Sequence, residues 1–436
     1  MSDSLGARQS HSVSDDNPSH DFNMFYNGSV LGTSIDFNLD YLFSKNGVKQ
    51  TSDEQSDNVS RNILSQSRIK NNMIAAKLIL GREIWKGQFR LGAEAIGTNR
   101  HDDYTIDGTS IVSDSHSKLK ETQMAAFAEY EKNTPVGVIS LGARFENIDF
   151  KYYEDGIYIP EQSRNFKNFF PNVTLQTKVG NTMLSASYSV KTKHPTYTQL
   201  SSNVAYINRF MLQSGNPTLK DEKIHDVSAM GVWKWMQFML SYQDDRDAII
   251  YWDEAISSSS SIMLLRYKNL HSIKSLTTMI AMAPRIGIWT PQLSLALRKQ
   301  WLSLETSNST VALRKPILQI AFNNSLSLPL DITANIDMSY QSKGNYQNVY
   351  MYCNTYTMDL SFTKAFFKGA LELNVKGSDL FYTRKDNTRM YGNRVEIIQE
   401  NRFDSRELGV TLRYNFNASK LRYKGKGAGN SEKSRM

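Results

Sequence analysis

Glu407-Leu-Gly-Val-Thr-Leu-Arg-Tyr-Asn-Phe-Asn417 alternates between two kinds of residue without exception. Leu408, Val410, Leu412, Tyr414 and Phe416 fall on one face of an extended chain, and Gly409, Thr411, Arg413 and Asn415 on the other. Asp331 to Tyr340 repeats the pattern, with Ile332, Ala334, Ile336 and Met338 set against Thr333, Asn335, Asp337 and Ser339. Thr355 to Thr363, Leu184 to Lys191 and Ser34 to Tyr41 do the same. Chance alone gives a perfect ten-residue alternation about once in 500 windows, so a single case would carry little weight. Several cases, each beside a tight turn, define strands with one apolar and one wet side.

Working outward, short turns fall near Gly32, Lys86–Gly87, Asn133–Pro135, Gly180–Asn181, Lys234, Pro284–Pro291, Pro329 and Lys368–Gly369. Long polar connections lie between them, at 44–71, 99–120, 151–167, 193–222, 253–264, 302–314, 343–351 and 384–404. Hairpins closed tightly at one end and loosely at the other suit a transmembrane β-barrel, with short periplasmic turns and long outer loops. Ten residues at about 3.3 Å each, tilted by roughly 45°, cover about 23 Å, close to the apolar band of such a barrel. The wet faces are too polar for a protein core. Asp36, Asn38 and Asp40 would be buried together, as would Ser185, Ser187, Ser189 and Lys191, whereas a water-filled lumen solvates them. A large soluble β-sandwich or propeller is the alternative, and it gives no reason for sorting loops by length.

The pattern predicts an all-β chain: an antiparallel up-and-down transmembrane barrel over 21–416, with about 17 strands. Residues 1–20 read as a loop or disordered segment, and 417–436 as a basic, flexible periplasmic tail. That tail carries Lys420, Arg422, Lys424, Lys426, Lys433 and Arg435 against Glu432 alone, and so accounts for most of the net charge of +8. With one aromatic residue, Tyr423, and no fold behind it, it does not read as a nucleic-acid-binding element. Aromatic residues near strand ends (Trp85, Tyr130, Phe170, Trp233, Trp235, Trp289, Phe366, Phe367) fit interfacial girdles. No apolar run approaches the roughly 18 residues of a helical span. The single Cys353 excludes an internal disulfide.

Catalytic patterns do not emerge. The seven histidines form no i, i+4 pair and no HExxH, and there is no G-x-S-x-G elbow. Asp244, Asp245 and Asp247 around Arg246 read as a solvated charge cluster rather than a metal site. The chain is therefore read as a non-enzyme without cofactor or metal.

Pro195-Thr-Tyr-Thr-Gln-Leu200 followed by Gly215-Asn-Pro-Thr-Leu-Lys220 resembles the outer-membrane β-barrel family allied to TonB-dependent receptors. Ser378-Asp-Leu-Phe381 is similar to a signature near the end of those barrels. Asp404-Ser-Arg406 with its aromatic-ended strand resembles the family's closing strand, and Lys424-Gly-Lys-Gly-Ala-Gly-Asn430 its usual ending. One departure is Asp221, where proline commonly follows Leu-Lys. The resemblance implies a 22-strand barrel closed by an N-terminal plug and driven by TonB. Its partners would be outer-membrane lipid, the TonB system and a surface lipoprotein. Neither a plug nor a signal peptide is visible here, and about 17 strands is an odd number, so the chain reads as a fragment or split product of a longer receptor.

Three functions follow as expectations. The first is TonB-linked uptake of a scarce nutrient such as a metal chelate, glycan or peptide. The second is a passive porin-like channel. The third is a soluble β-rich binding or adhesion protein. In the connection 193–222, Tyr197, Gln199, Tyr206 and Phe210 are the candidate ligand contacts.

Overall fold

The computed structural model describes residues 7–15, 17–56, 59–256, 262–416 and 427–436. Its wall is a run of antiparallel strands, each hydrogen-bonded to the next. They are β1 (Ser19–Val30), β2 (Thr33–Ser56), β3 (Val59–Ile84), β4 (Gly87–Asp107), β5 (Ser115–Thr134) and β6 (Gly137–Glu154). Then come β7 (Arg164–Val179), β8 (Thr182–Lys193), β9 (Glu222–Trp233), β10 (Met236–Ala255), β11 (Met263–Met282) and β12 (Trp289–Glu305). The run ends with β13 (Ile317–Leu328), β14 (Ile332–Gln341), β15 (Thr355–Phe366), β16 (Leu371–Ser378) and β17 (Glu407–Tyr414).

Every predicted tight turn separates two wall strands. At the first, Leu31 and Gly32 both take positive φ, and at the second Trp85 and Lys86 do. This is the backbone twist that two-residue hairpins require, usually met with Asn-Gly. The facing also holds. Leu408, Val410 and Leu412 are exposed on the outer face, as are Ile74, Met124, Phe145 and Phe169. Asn38 and Asp40 are fully buried on the inner face. Trp85, Trp233, Trp235 and Phe367 sit exposed at the short-turn end, as a girdle requires. Phe170 does not join them, because its place in β7 turns it inward, where it is buried.

The long connections differ from expectation. Much of 44–71 and 99–120 is strand: β2, β3 and β4 run for 24, 26 and 21 residues, well past the apolar band. Continuing the ladder satisfies backbone groups that a loop would leave to water. The connections 343–351 and 384–404 pair with each other as a separate four-stranded sheet. Residues 7–20 are not a loop either. Ala7–Ser14 is a strand paired with Val48–Gln55 of β2, and β1 begins at Ser19. Residues 1–6 lie outside the described part.

β1 and β17 each have one wall neighbour among the described residues, so the sheet is open there. Both strands run toward the short-turn end.

Candidate functional site

Where a barrel would be hollow, the inner face at the long-loop end is covered. The connection between β8 and β9 folds back inside the wall. A one-turn helix, Tyr197–Leu200, starts it, with a capping box in which Thr196 and Gln199 bond reciprocally through side chain and backbone. Gly215 passes over this turn so closely that a Cβ there would lie 2.4–2.6 Å from the carbonyl oxygens of Thr198, Gln199 and Ser201. The Asn216 amide N–H then donates to the Gln199 carbonyl (2.6 Å), and its side-chain amide donates to the Tyr267 carbonyl on β11 (2.9 Å). The two halves of the sequence motif are thus one folded unit. Tyr197, Leu200 and Leu219 pack with Leu119, Phe150, Tyr152 and Ile249 of the wall into a buried apolar cluster.

The C-terminal segment forms the second half of the site. Residues 427–436 lie inside the wall instead of forming a free tail, while 417–426, with Lys420, Arg422, Lys424 and Lys426, fall outside the described residues. The backbone N–H groups of Ala428 and Gly429 donate to Asp40 Oδ2 at 2.6 and 3.1 Å. Gly429 rests on β3, where a Cβ would come within 2.5 Å of Met73. Arg435 is buried with its guanidinium 4.5 Å above the Tyr197 ring. It donates to Glu121 (2.5 and 3.1 Å) and Glu432 (2.6 Å), and through Nε to the Pro195 carbonyl (2.9 Å). The Tyr197 hydroxyl lies 2.9 Å from Glu432 and 3.2 Å from Glu121. What draws the segment in is this complementarity: wall carboxylates that would otherwise be buried unpaired meet a guanidinium and two backbone donors. Burial opposes charge on Arg435, but Glu121, Tyr197 and Glu432 hold its pKa well above the ordinary value. Burial raises the Tyr197 phenol well above its own range.

Beside this pair lies another. His194 Nδ1 is 3.0 Å from Asp221 Oδ1, its Nε2 is 3.7 Å from Glu146 Oε2, and Asn168 donates to Asp221 at 3.2 Å. Burial would depress His194, but Asp221 and Glu146 lift it above its ordinary value. Burial would raise Asp221, but His194, Arg435 and Arg164 bring it below the usual carboxylate range.

On the short-turn side of this inner layer lies a cavity of about 940 Å³, lined by Asp36, Lys77, Arg90, Arg144, Ser187 and Lys191 among others. A second, of about 1210 Å³, lies along β12–β16 near Gln319, Gln341, Asp359 and Lys376. Both linings mix charged side chains with apolar ones, Phe127 and Phe170 among the apolar ones in the first.

Of the four residues singled out in 193–222, Tyr197 lies in the inner layer and Gln199 holds its cap. Tyr206 is buried with its hydroxyl donating to Glu54 (2.8 Å), and Phe210 is half-buried beneath the Arg209 guanidinium at 4.7 Å. The sequence did not join His194, Asp221, Glu121, Glu432 and Arg435: Arg435 and Glu432 read as charges of a free tail, since no local pattern links residues 121 and 435. The one hint was Asp221, the departure from the expected proline. Asp244 and Asp245, part of the acidic cluster around Arg246, follow one another in β10 and so point to opposite faces.

The sequence matches the model of the "Outer membrane protein beta-barrel family" over residues 29–414. No curated protein matches it. Among solved structures, the copper transporter OprC aligns at 12% identity with a TM-score of 0.60, covering 91% of this chain and 72% of its own. The ferric yersiniabactin uptake receptor FyuA from Yersinia pestis aligns at 10% with a TM-score of 0.54, covering 88% and 61%. The Serratia marcescens hemophore receptor HasR aligns at 10% with 0.53, covering 94% and 71%. At these identities the likeness is one of fold.

Proposed function

Because the chain belongs to the outer membrane protein beta-barrel family and sits in the cell outer membrane, we propose that it is the barrel wall of a gated, TonB-linked importer. The cargo would be a scarce nutrient of the metal-chelate, glycan or peptide class, captured by the long-loop end. The copper transporter, yersiniabactin receptor and hemophore receptor of like fold support this class without choosing within it. The observation that carries the reading is the inner layer. An apolar cluster and a buried Arg435–Glu121–Glu432 network cover the inner face between the long-loop end and the first cavity. A passive channel needs a continuous wet path, and packed Leu119, Phe150 and Tyr197 interrupt it along β5 and β6. That packing favours a gated route over the porin-like alternative. TonB would act through a plug domain contributed by sequence outside this chain, and a surface lipoprotein would be a partner at the outer loops.

Planar-bilayer conductance, together with uptake in cells, tests the proposal. The protein extracted from its own membrane should conduct little, and removal of residues 427–436 should raise conductance. Cells lacking the gene, or lacking TonB, should fail to accumulate the nutrient. A large steady conductance from the unmodified protein would sink the gated reading in favour of the porin-like one.

A further inference from the structure

On the outer face of β2–β6, just beyond Ile74, Met124, Phe145 and Phe169 where the apolar band ends, the register places lysine against lysine. Lys45 of β2 stands directly opposite Lys70 of β3, and Lys120 of β5 directly opposite Lys151 of β6. Lys118 lies on the same face, two residues from Lys120, and the row Lys70–His101–Lys118 links the two pairs. Like charges directly opposite each other in a sheet are destabilising, because their Cβ atoms are only about 4.5–5.5 Å apart. The nearby carboxylates do not cancel them. Asp149 serves Lys151 at 3.2 Å, and Asp103 is engaged by His116 at 3.0 Å. Among the described residues Lys45, Lys70, Lys118 and Lys120 have no carboxylate partner; Lys120 has the Tyr153 ring, 5.6 Å away. Glu121 and Asp102 point the other way, into the lumen, where Glu121 holds Arg435 and Asp102 holds Arg100. On this stretch of the outer face the lysines therefore outnumber the carboxylates, and the two carboxylates near them, Asp103 and Asp149, are already engaged.

We propose that this outer surface is a binding site for a lipid whose headgroup ends in a net-anionic phosphate monoester. The lysine pairs would hold the phosphate oxygens, and the acyl chains would lie on Met124, Phe145 and Phe169, which are 59, 47 and 62% exposed. The level of the lysines, at the rim of the apolar band, is that of headgroups rather than of bulk water or hydrocarbon. Lysine serves phosphate as a mobile point charge, and a divalent anion between opposed ammonium groups converts their repulsion into attraction. A neutral headgroup would leave the pairs opposed. The proposal depends on membrane placement of the barrel, and not on the transport reading.

The test uses the protein extracted from its own membrane in non-ionic detergent and stripped of lipid. Bound phosphatidic acid and phosphatidylcholine are counted by native mass spectrometry, and pyrophosphate serves as the free-anion arm. Phosphatidic acid should bind at least about tenfold more tightly than phosphatidylcholine and weaken steeply with salt. Lys120→Gln with Lys151→Gln should remove most of that preference, while Lys376→Gln on the lumen face should not. Equal retention of the two lipids, or an unchanged preference in the double variant, would overturn the site. Pyrophosphate binding as tightly as the lipid would overturn the lipid as occupant. An unaltered strand signature in circular dichroism distinguishes loss of the site from loss of the fold.

Discussion

Asp221 stands where a proline would stiffen the entry to β9, and the structure gives it a use that proline could not supply. Its pairing with His194 ties the end of β8 to the start of β9 across a connection of more than twenty residues. Because His194 has its pKa raised in the folded protein, its contribution to stability is complete below about pH 6.5 and disappears as pH climbs through the raised value. Asp221, lowered, contributes above about pH 3.9 and is lost only in stronger acid. Thermal unfolding of the extracted protein should therefore show a midpoint that drops as pH rises from about 6.5 toward 8, and Asp221→Asn should flatten that slope. A midpoint rising over the same interval would contradict the assignment. On the membrane face, Ile336→Arg should cost about 2–4 kcal/mol near the bilayer midplane, and Leu412→Arg, two residues from the short-turn end, less. Thr411→Arg and Asp337→Arg, facing the lumen, should be much milder. Unfolding titrations of the protein extracted from its own membrane that found the two sets equally damaging would reverse the facing. This facing was legible from sequence because period-two alternation is local. The His194–Asp221 and Arg435–Glu121 pairs were not, because partners 27 and 314 residues apart leave no local trace.

Among the elements, the short turns and the long connections were legible to different degrees. Gly180 and Asn181 announce a turn by conformational need, and the structure puts Gly180 at positive φ. The long connections announced only polarity, and polarity suits a solvated ribbon as well as a loop. Hence β2 and β3 pair all the way to Ser56 and Val59 where irregular chain was expected. Sidedness can be checked by cysteine labelling after Cys353 is replaced. Cysteines at Ser110 and Thr218, both exposed, should react in intact cells, and those at Asn181 and Gly369 only once the outer membrane is breached. Labelling of the short turns in intact cells would invert the topology. Within the connection 193–222, Gly215→Ala should loosen the inner layer, since the new methyl meets three carbonyl oxygens at 2.4–2.6 Å. The readout is earlier proteolysis between Tyr197 and Leu219 than in the parent.

For the whole molecule the decisive feature is the pair of open edges. β1 and β17 run in the same direction, so joining them would make a parallel seam in an otherwise antiparallel wall. In lipid an unpaired backbone group costs several kcal/mol, and an open edge is not tolerated. We therefore expect the polypeptide alone to give no heat-modifiable, protease-resistant species on refolding into detergent. Strands that pair with both open edges should restore one. A compact, resistant species from the 436 residues alone would mean that the edges find their own solution.

The bond from Ala428 to Asp40 spans 388 residues, and the one from Arg435 to Glu121 spans 314. Contacts so remote in sequence are slow to form, because loop closure must be completed before they contribute. During synthesis the wall strands emerge first, and the residues that line its interior emerge last. The centre of the protein is therefore filled only after its rim exists, and an affinity tag fused behind Met436, which packs against the buried Leu119–Tyr197 cluster, would have to enter with it.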